Sequence, residues 1–172
     1  MTPSPADLAA GLEQLIQNGL LRLERTAGVP TWEPMPGARH QKTIDRIRAT
    51  IKPLTDMPLN DSACACVHLS DVLVRFSEGS FRRPDIAIFC EDPPEVDEAL
   101  NIVPAAIIEI VSVGYEYKDL ALGAPFYLGQ GVADVIVHDP RSGMVTHFRP
   151  SGTNVYQSPV TLELRCGCSC EV

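Results

Sequence analysis

No stretch of this sequence approaches the roughly 20 consecutive apolar residues that a membrane-spanning helix needs. The opening residues MTPSPADLAAGLEQ carry neither the basic start nor the apolar core of an export signal, so a cytoplasmic protein with no membrane partner is expected. No internal repeat or low-complexity tract is present, which sets aside repeat architectures. Positive charge is scarce. Fourteen Lys and Arg against 22 Asp and Glu give a net charge of −8, which disfavours non-specific adhesion to nucleic acid. Only GARHQKTIDRIR and SFRRP gather enough basic residues for a local patch, and elsewhere such clusters are solvated faces of helices and turns.

What is present suffices for one core. A chain of 172 residues, 45% hydrophobic, predicts a single domain over 1–172. Six cysteines, at 64, 66, 90, 166, 168 and 170, would indicate a disulfide framework only in a secreted chain, so reduced thiols are expected. Cys166, Cys168 and Cys170 alternate and would share one strand face. With Cys64 and Cys66 similarly spaced, a zinc site built from both groups stands beside the plainer reading of buried thiols. A Cys–His nucleophile has little support, since Cys66 and His68 share a strand face but no known spacing.

Leu8, Leu12, Leu15 and Ile16 predict a helix over 5–18, stopped by Gly19. LLRLERTAG alternates apolar and charged residues as a half-buried strand does, and VPTWEPMPG, with three prolines, reads as an edge strand or an irregular connection. Ile44, Ile47 and Ile51 form one stripe of a helix over 38–52, ended by Pro53. ACACVHL, DVLVRFS and PDIAIFC read as short strands, and the acidic residues 91–103 as an exposed loop. A strand at 105–111, a kinked helix at 116–130 weakened by Gly123 and Pro125, and the strand VADVIVH make a crossover, with MVTHFRP, NVYQS and VTLELRC finishing the chain as strands. The class is α/β with a mixed sheet.

PAAIIEIVS raises the functional question, because Glu109 interrupts a strand apolar on both faces. A buried lone carboxylate costs several kcal/mol unless a partner, a metal or a shifted pKa offsets it. Asp85 opens the strand PDIAIF, 24 residues earlier. If the two strands are neighbours, the carboxylates converge, and their oxygens suit Mg²⁺. A metal so held serves phosphodiester hydrolysis. The plainer alternatives are a turn aspartate and a glutamate paired with arginine.

RRPDIAIF, PAAIIEIVS, KDLALGAPFYLGQGVADVIVHDP and MPGARHQ together resemble the Uma-type family of putative restriction endonucleases, a branch of the PD-(D/E)XK nuclease superfamily, over about residues 19–164. The order of the family's pieces is intact: Pro84-Asp85, Glu109 to Ser112, Asp119 to Tyr127, Gly131-Val132 and Asp139-Pro140. The resemblance implies a restriction-endonuclease-like core, a mixed β-sheet with flanking helices, in which Asp85 and Glu109 bind Mg²⁺ or Mn²⁺. It implies a nucleic-acid substrate and, by analogy with nucleases of this fold, a homodimer.

The family's catalytic lysine falls at Gly123, and losing that cation can cost orders of magnitude in rate. Lys118 is the nearest substitute if its stem reaches inward; otherwise it is a solvated residue at a helix start. Pro125, and VADVIVHDP where the family has an aromatic pair, point the same way as Gly123. The alternative is therefore a catalytically impaired nuclease-fold protein used for binding or assembly. His40, in the family's RHQ at a helix start, and Glu33 are further candidates for the cleft, against plain roles in packing or at an exposed strand.

Overall fold

A computed structural model describes residues 11, 14, 15, 18, 21–26, 28–54, 64–114, 116 and 118–172. Most of the helix expected over 5–18 lies outside the described residues. A hairpin, β1 (Leu21–Thr26) and β2 (Val29–Pro34), precedes helix α1 (Ala38–Arg48). Then come β3 (Lys52–Pro53), β4 (Val67–Leu69), β5 (Val74–Arg75), β6 (Phe81–Arg82), β7 (Ile86–Phe89) and β8 (Ala106–Ile110). One turn of π-helix, Lys118–Gly123, runs straight into α2 (Ala124–Gly129). The chain closes with β9 (Asp134–Asp139), β10 (Met144–Arg149), β11 (Gly152–Gln157), β12 (Thr161–Glu163) and β13 (Cys168–Glu171).

Strands rich in Ile and Val, apolar on both faces, belong at the centre of a covered sheet. β7, β8 and β9 sit there, in a six-stranded sheet of order β11-β10-β9-β8-β7-β4. Every pair is antiparallel except β8–β9, which is parallel and needs the crossover that the π-turn and α2 supply. Two smaller sheets, β2-β1-β6-β5 and β12-β13-β3, complete the fold. The expected mixed-sheet α/β class is what the chain adopts.

Side chains alternate across β8. Ala106, Ile108 and Ile110 face a core shared with Ile44 and Ile47 of α1 and with Leu162, Leu164 and Cys168 of the C-terminal hairpin. Ile107 faces the other way, toward Ala124 and Tyr127 of α2 and Val74 and Phe76. Each isoleucine so buried stabilises the fold by roughly 1.5–3 kcal/mol.

Several local expectations change. Helix α1 ends at Arg48, not 52, because Thr50 Oγ1 donates to the Ile47 carbonyl at 2.7 Å and Lys52–Pro53 joins β13 as an edge strand. Pro125 does not break α2: it lies in the first turn, where no backbone donor is needed. Residues 91–103 are not wholly exposed, since Leu100 bridges to Val74 and is buried.

β1 reverses the usual phase of a half-buried strand. Leu23 is 43% exposed and Glu24 only 2%, because Glu24 has cations waiting inside. The thiols also depart from expectation: Cys66 and Cys168 form a disulfide.

Candidate active site

The β7–β8 register puts Asp85 directly across from Glu109, one step beyond the pair Ile86 and Ile108. Residues opposite one another share a sheet face. Each carboxylate accepts a backbone N–H from the facing strand. The Asp85 N–H donates to Glu109 Oε2 at 3.0 Å, and the Ile110 N–H donates to Asp85 Oδ2 at 2.7 Å. Side chains thus take over where the ladder of the two strands ends.

Both residues line one small cleft with Arg22, His40, Arg83, Ser112, Lys118 and Asp119. Its cavity of about 20 Å³ matches one water or one small cation. His40, in the first turn of α1, reaches Asp85 Oδ1 through Nε2 at 2.8 Å, and its Nδ1 lies 3.2 Å from Ser112 Oγ. The histidine therefore orients the aspartate from outside the sheet.

Glu109 is held from the inside. The Tyr127 hydroxyl donates to Glu109 Oε1 at 2.7 Å, and Arg82 Nε donates to the same hydroxyl at 3.2 Å. Burial, together with the neighbouring Asp85 and Asp119, pushes the Glu109 carboxyl well above the ordinary carboxylate range, against the pull of Lys118 and Arg82. A third carboxylate, Asp119, is thus near enough to be felt.

Arg82 is 1% exposed and lies behind the cleft. Its guanidinium is 3.8 Å from Glu109 Oε1, 3.5 Å from Glu24 Oε2 and stacked 5.0 Å from the Tyr127 ring centre. Burial would raise Glu24, yet Arg82 and Lys118 beside it hold its carboxyl below the usual range. Arg82 occupies the room beside Gly123, where an added Cβ would meet its Nη2 at 3.2 Å.

Lys118 is not a solvated helix-start residue. Its side chain is 12% exposed, with Nζ 2.9 Å from Glu24 Oε2, and it lines the cleft. Arg22 and Arg83 stand at the same rim, both bound to Asp71, Arg22 Nη1 at 2.5 Å and Arg83 Nη2 at 3.2 Å. The Arg83 N–H donates to Glu24 Oε1 at 2.7 Å, which ties the rim to the buried network. Of the SFRRP cluster, Arg83 stands at the rim of the cleft and Arg82 is buried behind it, so the segment is not a solvated turn. A shallow groove continues from the cleft past Pro36, His40 and Ser112 to Arg39 and Arg141.

Of the residues singled out from sequence, Asp85, Glu109, Lys118 and His40 meet in one cleft. The Glu33 side chain lies outside the described residues. Sequence reasoning missed Glu24, Arg82, Asp119 and Tyr127. The signal for Arg82 was its place two residues before Pro84-Asp85, and for Glu24 a charged residue in a strand that needs an apolar face.

The donor chemistry suits a divalent cation, although among the described residues the ligand atoms of these carboxylates are not drawn within 4.8 Å of one another as a set of three. Three carboxylates share a buried region that raises one of them, the donors are all oxygen, and the space is the size of an ion.

Residues 9–165 match the family model described as Uma2, putative restriction endonuclease. Among solved structures, the chain is similar to the crystal structure of a putative nuclease belonging to DUF820 from Anabaena variabilis ATCC 29413. The TM-score is 0.60 at 19% sequence identity, over 81% of this chain and 79% of that chain, a likeness of fold. No curated protein matches.

Proposed function

Because the chain belongs to the Uma2 family of putative restriction endonucleases, we propose that it hydrolyses phosphodiester bonds in nucleic acid, in the manner of PD-(D/E)XK enzymes, with Mg²⁺ or Mn²⁺ held by Asp85 and Glu109. The observation that carries this reading is the reciprocal locking of the two carboxylates, each on the other strand's backbone, in a cleft that also holds Lys118 and Asp119. The ion would make a water more acidic and neutralise charge on a phosphoryl oxygen.

The chain's own groups do the rest. His40 fixes the Asp85 carboxylate and Tyr127 that of Glu109, so both are oriented before any ligand arrives. Lys118, the one lysine lining the cleft among the described residues, would orient the attacking water and stabilise the negative charge that develops at phosphorus. Arg22 and Arg83 bind the phosphate backbone at the rim, with Arg39 and Arg141 along the groove. Local cations thereby answer the −8 net charge. Cleavage of a duplex would call for a homodimer with one site per strand, in the cytoplasm where the substrate lies.

A second reading, a nuclease fold kept for binding, is favoured by Gly123. The test begins with metal: Mn²⁺ should raise the melting temperature, and Asp85→Asn with Glu109→Gln should abolish the shift. Nicking of plasmid, single-stranded DNA or RNA that disappears in Glu109→Gln supports the enzyme. Metal binding with no cleavage of any of these supports the binding protein, and an equal shift in the double variant removes the site.

A further inference from the structure

Five cysteine sulfurs, from three segments far apart in the chain, meet at the opposite end of β7 from Asp85. Cys64 and Cys66 precede β4, Cys90 follows β7, and Cys166 and Cys168 belong to the C-terminal hairpin. The sulfurs of Cys64, Cys166 and Cys168 all lie within 4.8 Å of one another, and Cys168 Sγ is 3.5 Å from Cys64 Sγ. The Cys90 thiol interacts with those of both Cys64 and Cys166. Around a tetrahedral zinc with Zn–S bonds of about 2.3 Å, sulfurs stand about 3.8 Å apart, close to what these side chains already have.

We propose that Cys64, Cys90, Cys166 and Cys168 form a tetrathiolate zinc site in the reduced protein, and that the Cys66–Cys168 disulfide is its oxidised, metal-free form. The hairpin tip is shaped for this. Gly167, at φ +88°, turns the chain between Cys166 and Cys168. Cys64 and Cys168 are buried while Cys90 and Cys166 are half-buried, so the set is closed against a substrate and open enough for an ion to enter. Four sulfurs in a tetrahedron select zinc over the oxygen-loving ion of the acidic cleft. The site stands apart from that cleft by the length of β7, five residue steps from Asp85 to Cys90 (90 − 85), about 16 Å of extended chain. Its role is structural: it pins the β12–β13 hairpin to the ends of β4 and β7.

Conversion between the two forms balances. A dithiol reductant gives two electrons and two protons to the Cys66–Cys168 bond, leaving two thiols and becoming a disulfide itself. Zinc then replaces the protons of four thiols, which pass to solvent, and Cys66 is left as a free thiol. Oxidation takes Cys168 away from the ion and empties the site.

The experiment is elemental analysis of the full chain, purified with a dithiol present from cells supplied with zinc. About one zinc per chain is expected. Cys64→Ser, Cys90→Ser and Cys166→Ser should each lower it below about a tenth. Because misfolding of those variants would mimic loss of the site, a second measurement uses the unmodified protein: reconstituted with Co²⁺, it should show intense thiolate-to-cobalt charge transfer and tetrahedral d–d bands. Cys66→Ser, which cannot form the disulfide, should keep its zinc in air while the unmodified protein loses it. Asp85→Asn with Glu109→Gln should keep it too. Folded, reduced protein with neither zinc nor cobalt bands overturns the site, as does zinc lost with the two carboxylates. Loss of zinc from reduced Cys66→Ser overturns the choice of these four ligands.

Discussion

The guanidinium of Arg82 fills the space that a side chain on Gly123 would take. Nη2 stands 3.2 Å from the Cβ such a side chain would have, and the Lys118 carbonyl stands 3.3 Å from it. Gly123 has an ordinary helical φ of −66°, so its value is room and not backbone freedom. A buried cation arriving from β6 thus stands beside Gly123.

That relationship sets the outcome of restoring the lysine. Gly123→Lys should not raise nuclease activity; it should destabilise the protein by roughly 1–3 kcal/mol through overpacking, with like charges pressed together. Arg82→Gln alone should cost more, about 3–5 kcal/mol, because Glu24 and Glu109 lose a buried partner. The double variant should recover part of that loss, measured by urea unfolding. Additive losses would show that the two positions do not share one space.

Lys118 carries the prediction for rate. Lys118→Ala should lower kcat by about a hundredfold or more with KM little changed, since the contact strengthens as charge develops. Robust cleavage by Lys118→Ala would leave Arg22 and Arg83 as the remaining cations at the cleft.

Tyr127→Phe removes one hydroxyl that serves two buried groups, Glu109 and Arg82. The loss should be about 1–3 kcal/mol of stability, and metal affinity should fall about tenfold as Glu109 loses its orientation. Thermal melts with and without Mn²⁺ separate the two effects. Unchanged affinity would limit Tyr127 to packing.

The pH dependence follows from the direction of the Glu109 shift. The folded, metal-free protein retains a proton that the unfolded chain, with a value of 4.5, gives up, so its stability falls as pH rises from about 4.5 toward the folded value. Metal requires the ionised form. Mn²⁺ affinity in calorimetry should therefore rise with pH over the same window, by up to roughly tenfold per unit, with release of a proton. Affinity flat with pH would mean that Glu109 is already ionised when the metal arrives.

Much of the site could be read from Asp85 and Glu109, because both the apolar run around Glu109 and the mixed topology follow from side-chain periodicity. Residues whose burial depends on a distant charge could not. Nothing local says that Glu24 turns inward while Leu23 stays out; that choice is made by Arg82 and Lys118, 58 and 94 residues further along (82 − 24, 118 − 24). The surroundings of Gly123 were hidden for the same reason, since only the fold sets Arg82 beside it. The disulfide was also invisible, for only the folded hairpin brings Cys168 to Cys66.

The exchange of backbone donors between Asp85 and Glu109 has a consequence for how the chain finds its own alignment. Shifting β8 by one residue against β7 would turn Glu109 to the opposite face and strand the amides of Asp85 and Ile110. A misaligned sheet therefore has no ligand pair, and an ion that binds only the correct alignment stabilises that alignment alone. Divalent cations present during refolding should act as a proofreader, enriching the properly paired sheet over its slipped competitors even where no substrate is ever met.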